Sequence, residues 1–157
     1  DHRDLHSFPT RRSSDLGADV ALDYHDDWVA GVADATAGKG ADVILDVIGA
    51  KYLESNVASL APDGRLVVIG LQGGRKATLD LNALLVKRAL VTATSLRGRP
   101  SAQKAAIAAA VAERVWPLVA AGAIKPAPET RFPLAEVAQA HAHLASGQNI
   151  GKVILTL

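Results

Sequence analysis

The sequence predicts an α/β fold built on a doubly wound parallel sheet. Short β-branched, apolar runs alternate with helical patterns from Gly17 onward, which is typical of βα units. The run Val43-Ile44-Leu45 is apolar at successive positions, as expected for a central strand that is covered on both faces. Beyond Pro100 the alternation gives way to an alanine-rich stretch and a different C-terminal segment.

The first part of the pattern contains four strands and three helices. Asp26 or Asp27 can cap the first helix, and Asp80 the third, because a carboxylate oxygen accepts a backbone N–H at a helix start. Pro62-Asp63-Gly64 predicts a turn between the second helix and the third strand. The predicted elements are strand 20–22, helix 26–35, strand 41–47, helix 52–60, strand 66–69, helix 81–87 and strand 90–93.

The second part begins with one long predicted helix whose end Pro117 should kink. Its apolar stripe has spacings of four, four and three residues, at Ile107, Val111, Val115 and Leu118. Gly122 is a plausible stop, and prolines at 126 and 128 restrict residues 124–132 to an edge strand or an extended segment. A last helix over 133–146, ended by Gly147, and a strand at 153–155 complete the chain.

Composition narrows the classes of function. The 157 residues are 49% hydrophobic and 21% charged, which is typical of a folded domain. A net charge of +1 gives no reason to expect nucleic acid or an anionic membrane as a partner. No apolar run approaches the roughly 18 residues of a membrane span. With no cysteine, thiolate metal ligation by these residues is excluded, and the composition suits a cytoplasmic protein.

The N-terminus has a different character from the rest. Residues 6–16, H-S-F-P-T-R-R-S-S-D-L, resemble a common sequencing-library adapter translated in one reading frame. We therefore interpret residues 1–15 as a foreign tail, which is set aside before the fold is considered. The functional alternative is a basic arm at Arg11-Arg12 that binds phosphate or is phosphorylated at Ser13 or Ser14.

Candidate ligand-binding residues follow the predicted strands. Ligands of a doubly wound sheet bind outside the carboxyl ends of its strands. Glycine at Gly49, Gly70 and Gly73 would let a flat ring or a pyrophosphate approach the backbone, although each glycine alone is more simply a tight turn. The four strand ends predict one rim: Tyr24, Asp46-Val47-Ile48-Gly49, Gly70-Leu71-Gln72-Gly73-Gly74 and Ser95-Leu96-Arg97.

The sequence lacks the motifs of a complete nucleotide site and of a metal site, and its candidate acid–base residues also have structural explanations. Neither a G-x-G-x-x-G fingerprint nor a phosphate-binding P-loop is present, because Lys39 is followed by glycine. His141 and His143 are two apart on a helix and face different sides, so no metal site is predicted. His25 is either an acid or base or a polar residue beside a helix cap. Asp46 is either a site residue or, as we favour, a hydrogen-bonded structural acid.

Four segments together resemble the NAD(P)H:quinone oxidoreductases, the zinc-free branch of the medium-chain dehydrogenase/reductase superfamily, which is related to the zinc-type alcohol dehydrogenases. The match runs in order over residues 16–157 with family-like spacing, and it is specific collectively rather than motif by motif. The segments are L-G-A-D-V-A-L-D-Y at 16–24, V-I-L-D-V-I-G at 43–49, L-A-P-D-G-R-L-V-V-I-G at 60–70 and N-I-G-K-V-I-L-T-L at 149–157.

The resemblance implies a domain order. In that family a GroES-like catalytic domain comes first, a Rossmann domain is inserted, and the chain then returns to the catalytic domain. Residues 16–121 would be a partial Rossmann cofactor-binding domain with a linking helix, and residues 122–157 the C-terminal segment of the catalytic domain. The chain would then be a C-terminal fragment, inactive alone.

The resemblance also implies a cofactor and its contacts. NADPH is expected, with NADH left open because the residues that select between them lie upstream in such proteins. Tyr24 would lie at the adenosine end. Val47, Ile48 and Gly49 would lie under the ribose and pyrophosphate. The nicotinamide side would be formed by Gly70, Leu71, Gln72, Ser95, Leu96, Arg97 and Asn149.

The implied reaction is hydride transfer to a small-molecule quinone or conjugated enone, with no residue of this chain acting as acid or base. Two alternatives are a fragment of a zinc-type alcohol dehydrogenase and a non-catalytic dimerising or nucleotide-binding module. The family-like segments at 70–74 and 149–152 favour the zinc-free branch. In the family, the strand at 90–93 lies at a sheet edge and pairs with its copy, which predicts a homodimer.

Overall fold

A computed structural model describes residues 17–147, 149 and 151–157, so the predicted tail at 1–15 lies outside the described residues. The described chain forms two compact units. One runs from Leu22 to Pro100, and the other comprises Ser101–Leu157 with residues 17–21. Within these ranges, no helix combines the length and apolar character that crossing a membrane requires.

The first unit is a three-stranded parallel sheet in the order β1-β2-β3, with its helices in the crossover connections. This confirms the predicted α/β class. A 3-10 turn over Ala50–Tyr52 leads into the second helix. The elements are α1 (Trp28–Ala35), β1 (Ala41–Asp46), α2 (Leu53–Ser59), β2 (Leu60–Val68), α3 (Leu81–Lys87) and β3 (Leu90–Ala93).

Two helices of this unit begin at the predicted caps. The Oδ1 atom of Asp27 accepts a hydrogen bond from the backbone N–H of Ala30 at 3.1 Å, so α1 begins at Trp28 rather than at residue 26. The Oδ1 atom of Asp80 accepts from the backbone N–H of Asn82 at 2.8 Å and starts α3. Each side chain satisfies an N–H group that has no partner within its helix.

The strand predicted at 20–22 is wrong. These residues are irregular and pair with no strand in the described part of the chain. A strand requires a neighbour for its N–H and C=O groups, and none is available here. Leu22 instead packs beneath α1, where a Cβ atom added to Gly31 would lie 2.8 Å from its Cδ2 atom.

The predicted turn at Pro62-Asp63-Gly64 is a bulge inside β2 rather than a break before it. Ala41 pairs with Leu60 and Val43 with Arg65, so a step of two residues in β1 faces a step of five in β2. The extra residues loop out, and Asp63 adopts a left-handed φ of 61°. A longer strand with one local distortion results.

The core of this unit is small, with Val57, Leu60 and Leu66 buried at its centre. β1 departs from the sequence expectation of a strand covered on both faces. It stands at the edge of the described sheet, and Val43 and Leu45 are 55% and 64% exposed. Val43 and Leu45 point to the same face of the sheet, and that face is uncovered among the described residues, whereas Ile44 packs against the core.

The second unit contains helices and a two-stranded parallel sheet. Pro117 lies in the first turn of a separate short helix, where its missing N–H costs nothing, so the predicted kink is a break between two helices. The expected extended segment and final strand pair from Glu129 with Lys152 to Pro133 with Thr156. The elements are α4 (Ser101–Arg114), α5 (Trp116–Ala120), β4 (Glu129–Pro133), α6 (Val137–Ala145) and β5 (Lys152–Thr156).

Candidate functional site

Three of the predicted strand ends meet at one edge of the sheet in the first unit. Backbone pairing continues past the strands: the N–H of Ile69 donates to the carbonyl of Asp46 at 2.8 Å, and the N–H of Thr94 donates to that of Val68 at 3.1 Å. Parallel strands place their carboxyl ends together, so the loops that follow them are neighbours. We call residues 46–50, 69–74 and 94–97 the rim.

The first rim loop is shaped by Asp46, whose side chain is 5% exposed. Its Oδ1 atom accepts from the backbone N–H of Ile48 and its Oδ2 atom from that of Gly49, both at 2.8 Å. A buried carboxylate needs such donors. The structure thus supports the interpretation of Asp46 as a hydrogen-bonded structural acid.

The second rim loop is fastened to the first along the backbone. The N–H of Gln72 donates to the carbonyl of Val47 at 3.1 Å, and the N–H of Gly73 donates to that of Ile48 at 2.7 Å. In return, the N–H of Ala50 donates to the carbonyl of Gly74 at 3.1 Å. The two loops therefore form one hydrogen-bonded unit.

The glycines of these loops face neighbouring protein. A Cβ atom at Gly49 would lie 2.8 Å from the carbonyl oxygen of Gly74, and one at Gly70 would lie 2.7 Å from that of Val47. At Gly73 it would lie 2.5 Å from the side chain of Ile48. The close approach that these glycines permit is thus between two loops of the chain, on the side where a Cβ would point.

A cavity of about 530 Å³ opens beyond β2 and β3. It brings together three of the predicted residues, Gly70, Leu71 and Ser95. The surface is mainly apolar, with Ile69 and Leu71 about half-exposed. Its lining residues are Val68, Ile69, Gly70, Leu71, Ala93, Thr94 and Ser95.

Arg99 orders the third rim loop, and sequence reasoning missed it. Its Nε donates to the carbonyl of Ser95 at 3.2 Å, and its Nη2 donates to the hydroxyl of Thr94 at 3.0 Å. The sequence pattern points to Arg97, which closely follows the strand, and carries no local sign that Arg99, two residues later, holds the loop. A guanidinium that holds two positions of a loop limits how far that loop can move.

A second cavity, of about 260 Å³, lies beside the carboxyl end of β1. It unites the predicted residues Tyr24, Val47 and Ile48. In a chain with only 4% aromatic residues, both tyrosines and one of the two tryptophans line it. The full lining is Leu22, Tyr24, Trp28, Leu45, Asp46, Val47, Ile48, Tyr52 and Asn56.

The helical side of this cavity was not predicted. The rings of Trp28 and Tyr52 have centroids 5.7 Å apart and belong to the start of α1 and the turn before α2. Asn56 on α2 is 5% exposed, and its Nδ2 atom has no hydrogen-bond partner among the described residues. The scarcity of aromatic residues was the one signal that could have drawn attention to this cluster.

His25 stands outside both cavities as a polar residue in a turn. The Oδ1 atom of Asp23 accepts from the backbone N–H of His25 at 2.9 Å and lies 2.8 Å from its Nδ1 atom. The backbone hydrogen bond from His25, reinforced by its ring, lowers the pKa of Asp23 below its usual value. The imidazole also contacts the ring of Tyr24 in a tilted arrangement, with centroids 4.0 Å apart.

Asn149 belongs to the second unit and is described by itself. Its Nδ2 atom donates to the carbonyl of Gly151 at 2.9 Å, while its Oδ1 atom is buried without a partner among the described residues. In the same unit the rings of His143 and Phe132 have centroids 5.7 Å apart. Nowhere in the described ranges do three or more His, Cys, Asp or Glu side chains gather to hold a metal ion.

Comparison with known proteins finds relatives that include oxidoreductases and a protein solved with NADPH. Quinone oxidoreductase of Pseudomonas aeruginosa is 31% identical over 140 residues, which are 88% of this chain and 43% of that protein. L-threonine 3-dehydrogenase of Pyrococcus horikoshii is 40% identical over 86 residues, or 54% of this chain and 24% of that protein. A mycobacterial protein solved in complex with NADPH is 30% identical with a TM-score of 0.69, covering 95% of this chain and 47% of that one.

The chain spans less than half of the length of each of these relatives. A family model described as zinc-binding dehydrogenase matches residues 16–155, nearly the whole chain. The mixed α/β architecture with parallel sheets agrees with the fold of the structural relatives. The chain therefore belongs to the zinc-binding dehydrogenase family of the medium-chain dehydrogenase/reductase superfamily.

Proposed function

We propose that this chain is the cofactor-facing part of an oxidoreductase that transfers hydride from NADPH to a quinone or a conjugated enone. The observation that carries the proposal is the rim, where three strand-end loops converge and two mainly apolar cavities open. Dinucleotides bind doubly wound sheets at this edge. The quinone oxidoreductase and the NADPH-bound structure among the relatives support the choice of substrate and cofactor.

The sheet order supports a place within a larger Rossmann domain. Such domains have the strand order 3-2-1-4-5-6, and β1-β2-β3 fit its second half, 4-5-6. The unpaired edge of β1 fits a neighbouring strand, and the exposed face at Val43 and Leu45 fits a packed helix, each from a longer protein. We also propose that residues 16–121 complete the cofactor domain and that 122–157 belong to the GroES-like catalytic domain.

The two cavities suggest how the cofactor lies. The aromatic cavity at Tyr24 would receive the adenosine end, with Val47, Ile48 and Gly49 beneath the ribose and pyrophosphate. The N–H groups of Ile48 and Gly49 already donate to Asp46, so the phosphates need other donors. The larger cavity would receive the nicotinamide end at Gly70, Leu71 and Ser95, with Gln72, Leu96 and Arg97 in the same two rim loops.

Bound NADPH would supply the hydride at its nicotinamide ring. The residues of this chain would orient that ring and shield it from water with apolar side chains such as Ile69 and Leu71. No proton transfer by a residue of this chain is required. A zinc-type alcohol dehydrogenase is the second candidate, favoured by the L-threonine 3-dehydrogenase match, and a purely binding or dimerising module is the third.

The test is to express the chain with its native upstream coding sequence restored. We expect the protein to oxidise NADPH with 1,4-benzoquinone as acceptor. The reaction is measured as a fall in the absorbance of the reduced nicotinamide, and NADH is tested in parallel. Zinc-dependent oxidation of an alcohol without quinone reduction would favour the second candidate. NADPH binding without any turnover would favour the third. The restored sequence should contain a glycine-rich turn after a strand, and another domain there would overturn the proposal.

Residues 17–157 alone should show no quinone-dependent NADPH oxidation, because they hold only one side of the site. Measurable turnover by residues 17–157 would show that the part of the relatives that this chain does not cover is dispensable for the reaction. Determining the native upstream coding sequence also tests the adapter interpretation, since native codons should replace those of residues 1–15.

We further propose a homodimer through β3, which lies at the edge of the described sheet with Leu90 half-exposed. An exposed strand edge pairs readily with a second copy of itself.

A cytoplasmic location is proposed as well, and the cysteine-free composition suits it.

A further inference from the structure

Asp46 occupies an unusual position for a carboxylate. It ends β1, is 5% exposed, and uses both oxygen atoms to accept backbone N–H groups two and three residues further on, each at 2.8 Å. These two bonds fix the backbone through Ile48 to Gly49, which has a left-handed φ of 79°. Hydrogen bonds to an ionised oxygen are about twice as strong as neutral ones.

The effect of Asp46 reaches the second rim loop. Once the 47–49 backbone is fixed, the carbonyls of Val47 and Ile48 point at the N–H groups of Gln72 and Gly73, at 3.1 and 2.7 Å. These bonds join segments some 25 residues apart along the chain. A change in the turn at Asp46 must therefore move the acceptors on which the second loop depends.

We propose that Asp46 is a positioning residue of the cofactor site, one that sets the conformation of both rim loops while both of its oxygen atoms are engaged by backbone N–H groups. The inference rests on the proposed function, because it assumes that Gly70, Leu71 and Gln72 face the nicotinamide. Asp46 acts through backbone that both loops share, so its removal should loosen cofactor binding more than it slows the chemical step.

The charge of Asp46 distinguishes its positioning of the loops from a direct electrostatic effect on the cofactor. The cofactor carries several negative charges, and a buried carboxylate near it opposes binding. Replacing Asp46 with a neutral residue should therefore tighten binding if charge alone mattered. Weaker binding in a neutral variant is therefore not an effect of charge repulsion, and faster hydrogen exchange at residues 72 and 73 would assign it to the lost loop geometry.

The experiment compares Asp46→Asn and Asp46→Ala in the chain with its upstream sequence restored. Asparagine keeps one acceptor oxygen in nearly the same shape, whereas alanine keeps none. Asp80→Asn is the matched control, because Asp80 also accepts the N–H two residues on at 2.8 Å but caps α3 away from the rim. The readouts are KM for NADPH, kcat, and hydrogen exchange at the Gln72 and Gly73 amides.

We expect Asp46→Asn to raise KM about tenfold with kcat within about twofold, and Asp46→Ala to raise KM further. Exchange at Gln72 and Gly73 should quicken about tenfold in Asp46→Asn. Asp80→Asn should leave KM, kcat and the exchange rates of these amides unchanged. An unchanged KM in Asp46→Asn, or an elevated KM with unchanged exchange at residues 72 and 73, would overturn this role for Asp46. A wild-type protein that fails to use NADPH would instead overturn the proposed function.

Discussion

Gly70 shows how a single residue joins two loops of the rim. Its φ is not left-handed, so a turn does not require glycine there. The requirement comes from Val47, whose carbonyl oxygen and Cα would lie 2.7 and 3.0 Å from an added Cβ. Because these are backbone atoms, they cannot rotate out of the way as a side chain could. The sequence shows a glycine at this position but not the neighbour that demands it.

Gly70→Ala should therefore lower the free energy of unfolding by about 2 kcal/mol, the usual cost of forcing an extra carbon into a packed site. Gly98→Ala is the control, because a Cβ there meets nothing within 4 Å and the φ of Gly98 is not left-handed. That variant should stay within about 0.5 kcal/mol of wild type. Urea unfolding measures both, and equal effects would contradict the close contact at Val47.

The ion pair between Asp63 and Arg88 predicts a pH effect. Nε and Nη2 of Arg88 each donate to one carboxylate oxygen at 2.8 Å, and these bonds lower the pKa of Asp63. A lowered pKa in the folded state adds stability above the unfolded value of 3.8, which is lost as the pH falls through the folded value. Both side chains are more than half exposed, so the effect should be small and weakened by salt.

Asp63→Asn is the variant of choice because asparagine tolerates the left-handed φ of 61°. We expect its melting temperature to lie below that of wild type near neutral pH, and the two to converge as the pH falls below 3.8. A difference that persists unchanged in strong acid would show that the ion pair is not its source.

At the scale of elements, α2 is stabilised at its C-terminus from another helix. The Nζ atom of Lys87, the last residue of α3, donates to the carbonyls of Val57, Ala58 and Leu60 at 3.1, 2.6 and 2.6 Å. A cation at the C-terminal end of a helix satisfies carbonyls that have no intrahelical partner and opposes the negative end of the helix dipole. A helix of seven residues depends on such tertiary contacts.

Lys87→Met should keep the length of the side chain and lose these bonds. We expect the free energy of unfolding to fall by about 1 kcal/mol, since Lys87 remains partly open to solvent. Lys39→Met, which breaks an exposed ion pair with Asp42, should change it by less than about 0.5 kcal/mol. Chemical denaturation followed by circular dichroism compares the two, and equal losses would argue against the cap.

Contacts between residues close together along the chain could be predicted from the sequence, whereas contacts between distant residues could not. The caps at Asp27 and Asp80 act over two or three residues; the sequence predicts Asp80 directly and Asp27 as one of two alternatives. Lys87 escaped notice because its partners lie 27 to 30 residues away. The strand at 20–22 failed for the same reason, since its local pattern fits a strand but its formation depends on a partner elsewhere.

For the molecule as a whole, the α/β class followed from alternating patterns, and the rim followed from the rule that ligand loops succeed parallel strands. Val47 with Ile48, and Gly70 with Leu71, were placed in this way. Trp28, Tyr52 and Asn56 were missed because they reach their cavity from two helices and from the turn before the second one. Which side of a short helix faces a cavity depends on packing that periodicity alone does not specify.

The proposed dimer is tested at the same scale. Replacing Leu90 and Thr92, both exposed on β3, with lysine would bring like charges together across paired edges. We expect wild type to sediment as a dimer and Leu90→Lys/Thr92→Lys as a monomer in analytical ultracentrifugation. Ala105→Lys, at an exposed position of α4, is the control and should remain dimeric. A monomeric wild type would contradict the proposal.

The edge of β1 has a practical consequence for the chain when it is produced by itself. Val43, Ile44 and Leu45 form an apolar, proline-free run, and two of these residues are more than half exposed. Such an edge recruits strands from other molecules and is a common starting point for aggregation. Solubility should therefore limit work on residues 17–157, and a charged residue in place of Val43 should raise the concentration at which the chain stays dispersed.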